Sequence, residues 1–162
     1  MIEKTHQLNF PELNIPQSEL KFALKNRALH VFDPLRKKYV MLTPEEYVRQ
    51  RFIKWLIEDL HFPASLMANE VAIDLNKTVK RCDTIIYKED FSPFVIAEYK
   101  SPYIKIDNKT FNQIVRYNYI LRAPYLILSN GICHYFCEVN LKENTYCFKE
   151  EIPDYLKLKN SI

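Results

Sequence analysis

Glycine is almost missing from this sequence: Gly131 is its only one. Tight turns must then come mostly from Pro and Asn, which implies a stiff backbone. No apolar run approaches the roughly 20 residues that a membrane span requires. Met1-Ile2-Glu3-Lys4-Thr5-His6 carries no apolar core of the kind that opens a secretory signal, so a cytoplasmic chain is expected. None of the four cysteines (Cys82, Cys133, Cys137, Cys147) belongs to a CxxC pair. On one strand Cys133 and Cys137 would stand about 13 Å apart, too far to share a zinc. Reduced, mostly buried thiols are therefore expected, and a zinc or redox protein built on the cysteines and His134 is set aside. There is no GxxxxGK[ST] loop, so these residues hold no P-loop motor. A dense basic tract is missing too: the net charge of +3 and a pI near 8.6 permit an anionic partner without requiring one.

What is present suits one compact domain. The length of 162 residues and a hydrophobic share of 48% support a single core. We expect that core over residues 28–155, preceded by a lead over 1–27 that Pro11 and Pro16 punctuate. Residues 28–32 and 38–41 read as two short strands around a turn at Asp33-Pro34. Thr43-Pro44-Glu45-Glu46 reads as a helix start, with Thr43 as N-cap, Pro44 at the first helical position and Glu46 placed for a capping box. The helix is expected to reach about His61, with Val48, Phe52, Trp55, Leu56 and Leu60 on its apolar face. A three-stranded meander follows over 69–75, 78–87 and 94–100, then a helix over 107–122. Residues 124–129 read as a buried strand, with a turn at Asn130-Gly131, a hairpin partner over 132–140 and an edge strand over 144–149. The order predicts a mixed α/β sandwich.

The spacing of acids within the meander carries the chemistry. Glu98-Tyr99-Lys100 ends an apolar strand, and strand alternation puts Glu98 and Lys100 on one face. Closing the 88–93 loop symmetrically sets Tyr87 opposite Phe94, Ile85 opposite Ile96 and Asp83 opposite Glu98. The same count around Asn76-Lys77 sets Asp83 opposite Glu70, so three acids line up across three strands. Opposed like charges destabilise a sheet unless something compensates. A hard divalent cation such as Mg²⁺ does so, and Lys100 is placed to orient an attacking water or to steady charge on a phosphate. A surface network in which Arg81 and Lys100 neutralise Glu70, Asp83 and Glu98 satisfies the same pattern.

Arg81-Cys82-Asp83, fourteen intervening residues, Glu98-Tyr99-Lys100 and then Gln113-x-x-x-Tyr117 resemble the PD-(D/E)xK nucleases with a Gln-x-x-x-Tyr motif. Within these the chain looks most like the N-terminal nuclease domain of type I restriction enzyme R (restriction) subunits, including short stand-alone forms. Thr43 to Gln50 and Pro124 to Gly131 add to the likeness, which covers roughly residues 28 to 155.

The resemblance implies a restriction-endonuclease-like three-layer α/β sandwich, a mixed central sheet flanked by helices. It implies catalytic roles for Asp83, Glu98, Lys100, Gln113 and Tyr117, with Asp83 and Glu98 holding Mg²⁺ or, as substitute, Mn²⁺. Glu70 and the helical acid Glu46 are further metal-ligand candidates, with a capping role as the alternative for Glu46. Cys82 stands where the signature has Pro. The expected function is Mg²⁺-dependent DNA cleavage in a restriction system, with DNA and other restriction-modification subunits as partners and a homodimer among the possible assemblies. The competing reading is a non-cleaving module that keeps the fold to bind DNA or a restriction-system partner.

Overall fold

The computed structural model describes residues 9–161. A small antiparallel sheet opens it: β1 (Phe22–Lys25), β2 (Ala28–Asp33) and β3 (Lys38–Met41), in that order. Helix α1 (Pro44–Glu58) follows, then a 3-10 turn over Ala64–Leu66. The main sheet comprises β4 (Met67–Leu75), β5 (Thr78–Tyr87), β6 (Pro93–Tyr99), β7 (Tyr125–Ser129), β8 (His134–Asn140) and β9 (Thr145–Lys149). Its strands lie in sequence order, and only β6 and β7 run parallel. Parallel neighbours need a crossover; α2 (Asn108–Leu121) supplies it, and a short α3 (Tyr155–Lys159) ends the chain.

Two apolar clusters cover the two sheet faces. Val48, Phe52 and Leu56 of α1 pack with Ile86, Val95, Tyr99 and Ile127, while Ile114 and Tyr117 of α2 pack with Cys82, Ile85, Ile96 and Leu126. β6 and β7 are buried on both sides, which is why they read as continuous apolar runs. The result is helix, sheet, helix: the expected restriction-endonuclease-like sandwich, and among the described residues no helix is long and apolar enough to cross a membrane.

Several expectations need correction. The packed structure begins before residue 28, because β1 lies in the lead and Ile15 is buried in the core. β1 joins β2 through Asn26 and Arg27, and β4 joins β5 through Asn76 and Lys77, all four with positive φ. Such a turn favours glycine, and this glycine-poor chain makes it twice without any. Asn130-Gly131 is not a two-residue hairpin; residues 130–133 form the loop, in which the Asn130 side chain accepts from the amides of Ile132 and Cys133. Gly131 has φ +84°, and a Cβ there would stand 2.7 Å from Leu13. Helix α1 stops at Glu58, three residues short of His61. Of the four free thiols only Cys82 and Cys137 are buried.

Candidate active site

The register count holds where it matters. Ile85 pairs with Ile96 and Thr84 with Ala97, so the next rung sets Asp83 against Glu98. Tyr87 pairs with Pro93 and not Phe94, because a bulge between Ile86 and Tyr87 absorbs one residue of the loop. On the other side Asn69 pairs with Thr84 and Val71 with Cys82, which leaves Glu70 facing Asp83. Glu70 has φ +56°, so the strand is locally distorted at that rung.

The β5–β6 ladder opens at this point. Asp83 replaces the missing backbone acceptor: its Oδ2 takes the Tyr99 amide at 2.8 Å, and its Oδ1 takes Arg49 Nη2 at 2.7 Å. Arg49 rises from α1 and also donates to Glu46 at 2.7 Å and pairs with Glu70 at 2.8 Å. Glu46 in turn accepts from Arg36 and Gln50, at 2.7 and 2.8 Å. Thr43 caps the Glu46 amide as expected, but the Glu46 carboxylate is spent on arginines and glutamine, which departs from the return bond of a capping box.

Glu98 is held from the α2 side. Gln113 Nε2 donates to Glu98 Oε1 at 2.5 Å and to the Tyr117 hydroxyl at 3.1 Å, and Lys100 Nζ lies 3.2 Å from both Glu98 Oε1 and Gln113 Oε1. Gln113 and Tyr117 are one helical turn apart, which stacks them over the same spot. All of this falls on Oε1. Glu98 Oε2 is buried and has no hydrogen-bond partner.

The electrostatics follow from that asymmetry. Burial and the nearby Asp83 charge push the Glu98 carboxyl up to about 8, against the pull of Lys100. Asp83 is raised as well, because burial outweighs Arg49 and the Tyr99 amide, and Glu70 adds to the rise. Lys100 is raised despite its burial, by Glu98 above all.

A further acid, Glu45, was not singled out in the sequence. Burial and then the Asp83 charge raise its carboxyl, while Lys100 and Arg49 lower it, which places it among the site's charges. Helical spacing carries the signal: Glu45, Arg49, Phe52 and Leu56 follow one another at steps of four and three, the face turned toward the sheet.

The structure thus brings Asp83, Glu98, Lys100, Gln113 and Tyr117 together, with Glu70 and Glu46 both joined to Asp83 through Arg49. Among the described residues no three acids, histidines or cysteines converge as a finished metal cluster. Two carboxylates are nevertheless a fitting donor set for Mg²⁺, which keeps several waters and binds through one or two protein oxygens. Glu98 Oε2 is the buried oxygen of this pair that has no partner, with the Asp83 charge close enough to raise the Glu98 carboxyl.

A mixed sheet with a helix on each face, and an Asp, a Glu and a Lys where the ladder opens, defines a nuclease-like domain. Residues 44–153 match the family described as type I restriction enzyme R protein N terminus, and the chain belongs to that family. It is also similar to a solved structure described as a fragment of an HsdR subunit of a type I restriction enzyme from Vibrio vulnificus YJ016. The TM-score is 0.53 at 14% identity over 74% of this chain, which supports the fold. The chain spans only 26% of that structure. A search of curated proteins gave no match.

Proposed function

We propose that this domain is a Mg²⁺-dependent DNA endonuclease of a restriction system, with Mn²⁺ able to replace Mg²⁺. The buried Glu98 oxygen without a partner, next to a second raised carboxylate, carries the reading. A buried carboxyl oxygen left without a partner costs about 1–3 kcal/mol. Asp83 and Glu98, with Glu45 at the margin, would hold a divalent cation, whose charge would offset that cost. Once bound, it supplies neutralisation of the scissile phosphodiester and acidification of the attacking water.

The chain's own residues do the rest. Lys100 holds its ammonium beside Glu98, where it orients the water or stabilises charge developing on a phosphate oxygen. Gln113 fixes both Lys100 and Glu98, and Tyr117 fixes Gln113. Arg49 anchors Asp83 to α1, so the two halves of the site keep their spacing.

One observation favours the non-cleaving alternative: Arg49 already neutralises Asp83 without any metal. Plasmid cleavage in Mg²⁺ or Mn²⁺ separates the two readings. Wild type is expected to cut, EDTA to stop it, and Asp83→Asn or Lys100→Ala to lower the rate by about 10²–10⁴-fold. Asp83→Asn is preferred to Asp83→Ala because it keeps an acceptor for the Tyr99 amide. A folded wild type that leaves the plasmid intact with either metal would remove the nuclease reading in favour of a binding module, for DNA or for another restriction subunit.

A further inference from the structure

Beyond Gln113 and Tyr117 the site runs into a cleft of about 590 Å³ between the β4–β5 hairpin and α2. Leu75 and Lys80 form one wall, and Lys109, Asn112 and Arg116 stand with Gln113 on the other. Positions 109, 112, 113 and 116 are spaced by three, four and seven from the first, so they share one helix face. The same face carries Gln113 inward to Glu98 and the cations outward to solvent.

Lys80, Lys109 and Arg116 are all exposed, and among the described residues none has a carboxylate within 4 Å. Lys54, Lys149 and Lys159 are paired, with Glu58, Glu138 and Glu89, while Lys37, Lys38 and Lys142 are as unpaired as the cleft's three cations; what distinguishes those three is that they line one concavity. Asp74, beside Leu75, accepts from the Lys77 amide in the hairpin turn. Like charges facing one another across a concave surface repel, and such a cleft concentrates anions. Cations on two opposed walls match an extended polyanion better than a single phosphate. The walls offer only Leu75 and Tyr117 as apolar area, too little to enclose a free nucleotide base.

We propose that this cleft seats the phosphodiester backbone of duplex DNA, with Lys80 on one side and Lys109 and Arg116 on the other as phosphate contacts. The strand then passes from the cations over Gln113 and Tyr117 to Glu98 and Lys100. The identity of the anion rests on the nuclease reading of those acids. The contacts are sequence-independent, since none of the three cations has a partner that would orient it toward a base edge.

The test is fluorescence anisotropy with a labelled duplex oligonucleotide in EDTA over a series of salt concentrations. Wild type is compared with Lys80→Ala/Lys109→Ala/Arg116→Ala and with a control of equal charge loss, Lys37→Ala/Lys38→Ala/Lys142→Ala, drawn from exposed positions elsewhere. Thermal unfolding verifies that each variant folds. The cleft variant is expected to bind at least roughly tenfold more weakly and to flatten the slope of log K against log salt by about 2.7, three contacts at 0.9 each. The control should stay close to wild type. Equal weakening in the two variants, or a wild type that binds no duplex at low salt, overturns the proposal.

Cleavage by the same preparations keeps the two ideas apart. A wild type that binds through the cleft yet never cuts sinks the nuclease reading and leaves the cleft standing. A wild type that cuts, with a cleft variant binding like the control, does the reverse.

Discussion

Asp33 and Glu98 are both withdrawn from solvent, at 0% and 3% exposure, and their surroundings treat them in opposite ways. Burial raises the Asp33 carboxyl, but the Arg36 amide, the Asn69 amide group and the Arg36 guanidinium together outweigh it and bring the group below its ordinary value. Both of its oxygens are taken: Oδ1 by the Leu35 and Arg36 amides, Oδ2 by Arg36 and by Asn69 at 2.8 Å. Glu98 has donors on one oxygen only and sits well above its ordinary value. The first is a finished structural joint, tying the β2–β3 turn to β4. The second has Lys100 and Gln113 on one oxygen and keeps the other buried without a partner. A chain of alternating charges, Asp33–Arg36–Glu46–Arg49–Asp83, links the two regions.

The comparison is most easily broken by stability measurements. Asp33→Ala strands Arg36 and Asn69 and is expected to cost about 3–5 kcal/mol in urea unfolding, the scale for removing one partner of a buried pair. Glu98→Gln should cost less than about 1 kcal/mol in metal-free buffer, because a neutral amide replaces a strained acid. Equal losses would mean that Glu98 is structural too.

Glu46 and Glu45 sharpen the contrast at smaller scale. Glu46→Gln is expected to lose about 1.5–3 kcal/mol, since three charged or polar donors converge on it. Glu45→Gln should leave unfolding nearly unchanged and weaken Mn²⁺ binding by roughly 10–100-fold, as outer-sphere carboxylates do. Reversed results would return the helical acid's role to Glu46.

The contrast extends to pH. With Glu98 raised to about 8, the folded state holds a proton that the unfolded chain has released above about 4.5. Stability should therefore fall as pH rises from about 4.5 to 8, and Glu98→Gln should flatten the decline. Asp33, being lowered, contributes stability that is present above its ordinary 3.8 and lost only as pH falls below it. A metal-free protein whose stability climbs between pH 5 and 8 would contradict the assignment.

Much of this was legible because strand geometry alternates side chains and a closed loop counts out the rungs. Counting back from the 88–93 loop paired the residues of 83–86 with those of 95–98, and Asp83 met Glu98 even though the assumed Tyr87–Phe94 start was displaced by a bulge. Loop geometry leaves no trace in such a pattern. β1 was hidden for a related reason: it has four residues, Leu24 and Lys25 face solvent, and Asn26-Arg27 carries no glycine. Glu46 was misleading because its position three residues after Thr43 satisfies a local rule, whereas Arg36 and Arg49, which capture its carboxylate, are fixed by tertiary packing. Tyr117 was expected as a site residue alone, yet its ring is buried with Ile114 while its hydroxyl accepts from Gln113, so it serves core and site at once.

Calorimetric titration of the metal-free protein with Mn²⁺ and Mg²⁺ tests the central claim most directly, that Asp83 and Glu98 jointly lack a cation. The expected result is a saturable binding event that releases protons near pH 7, as Glu98 gives up its own, and that disappears in Asp83→Asn and Glu98→Gln. No binding by wild type, or binding that survives both substitutions, would contradict it.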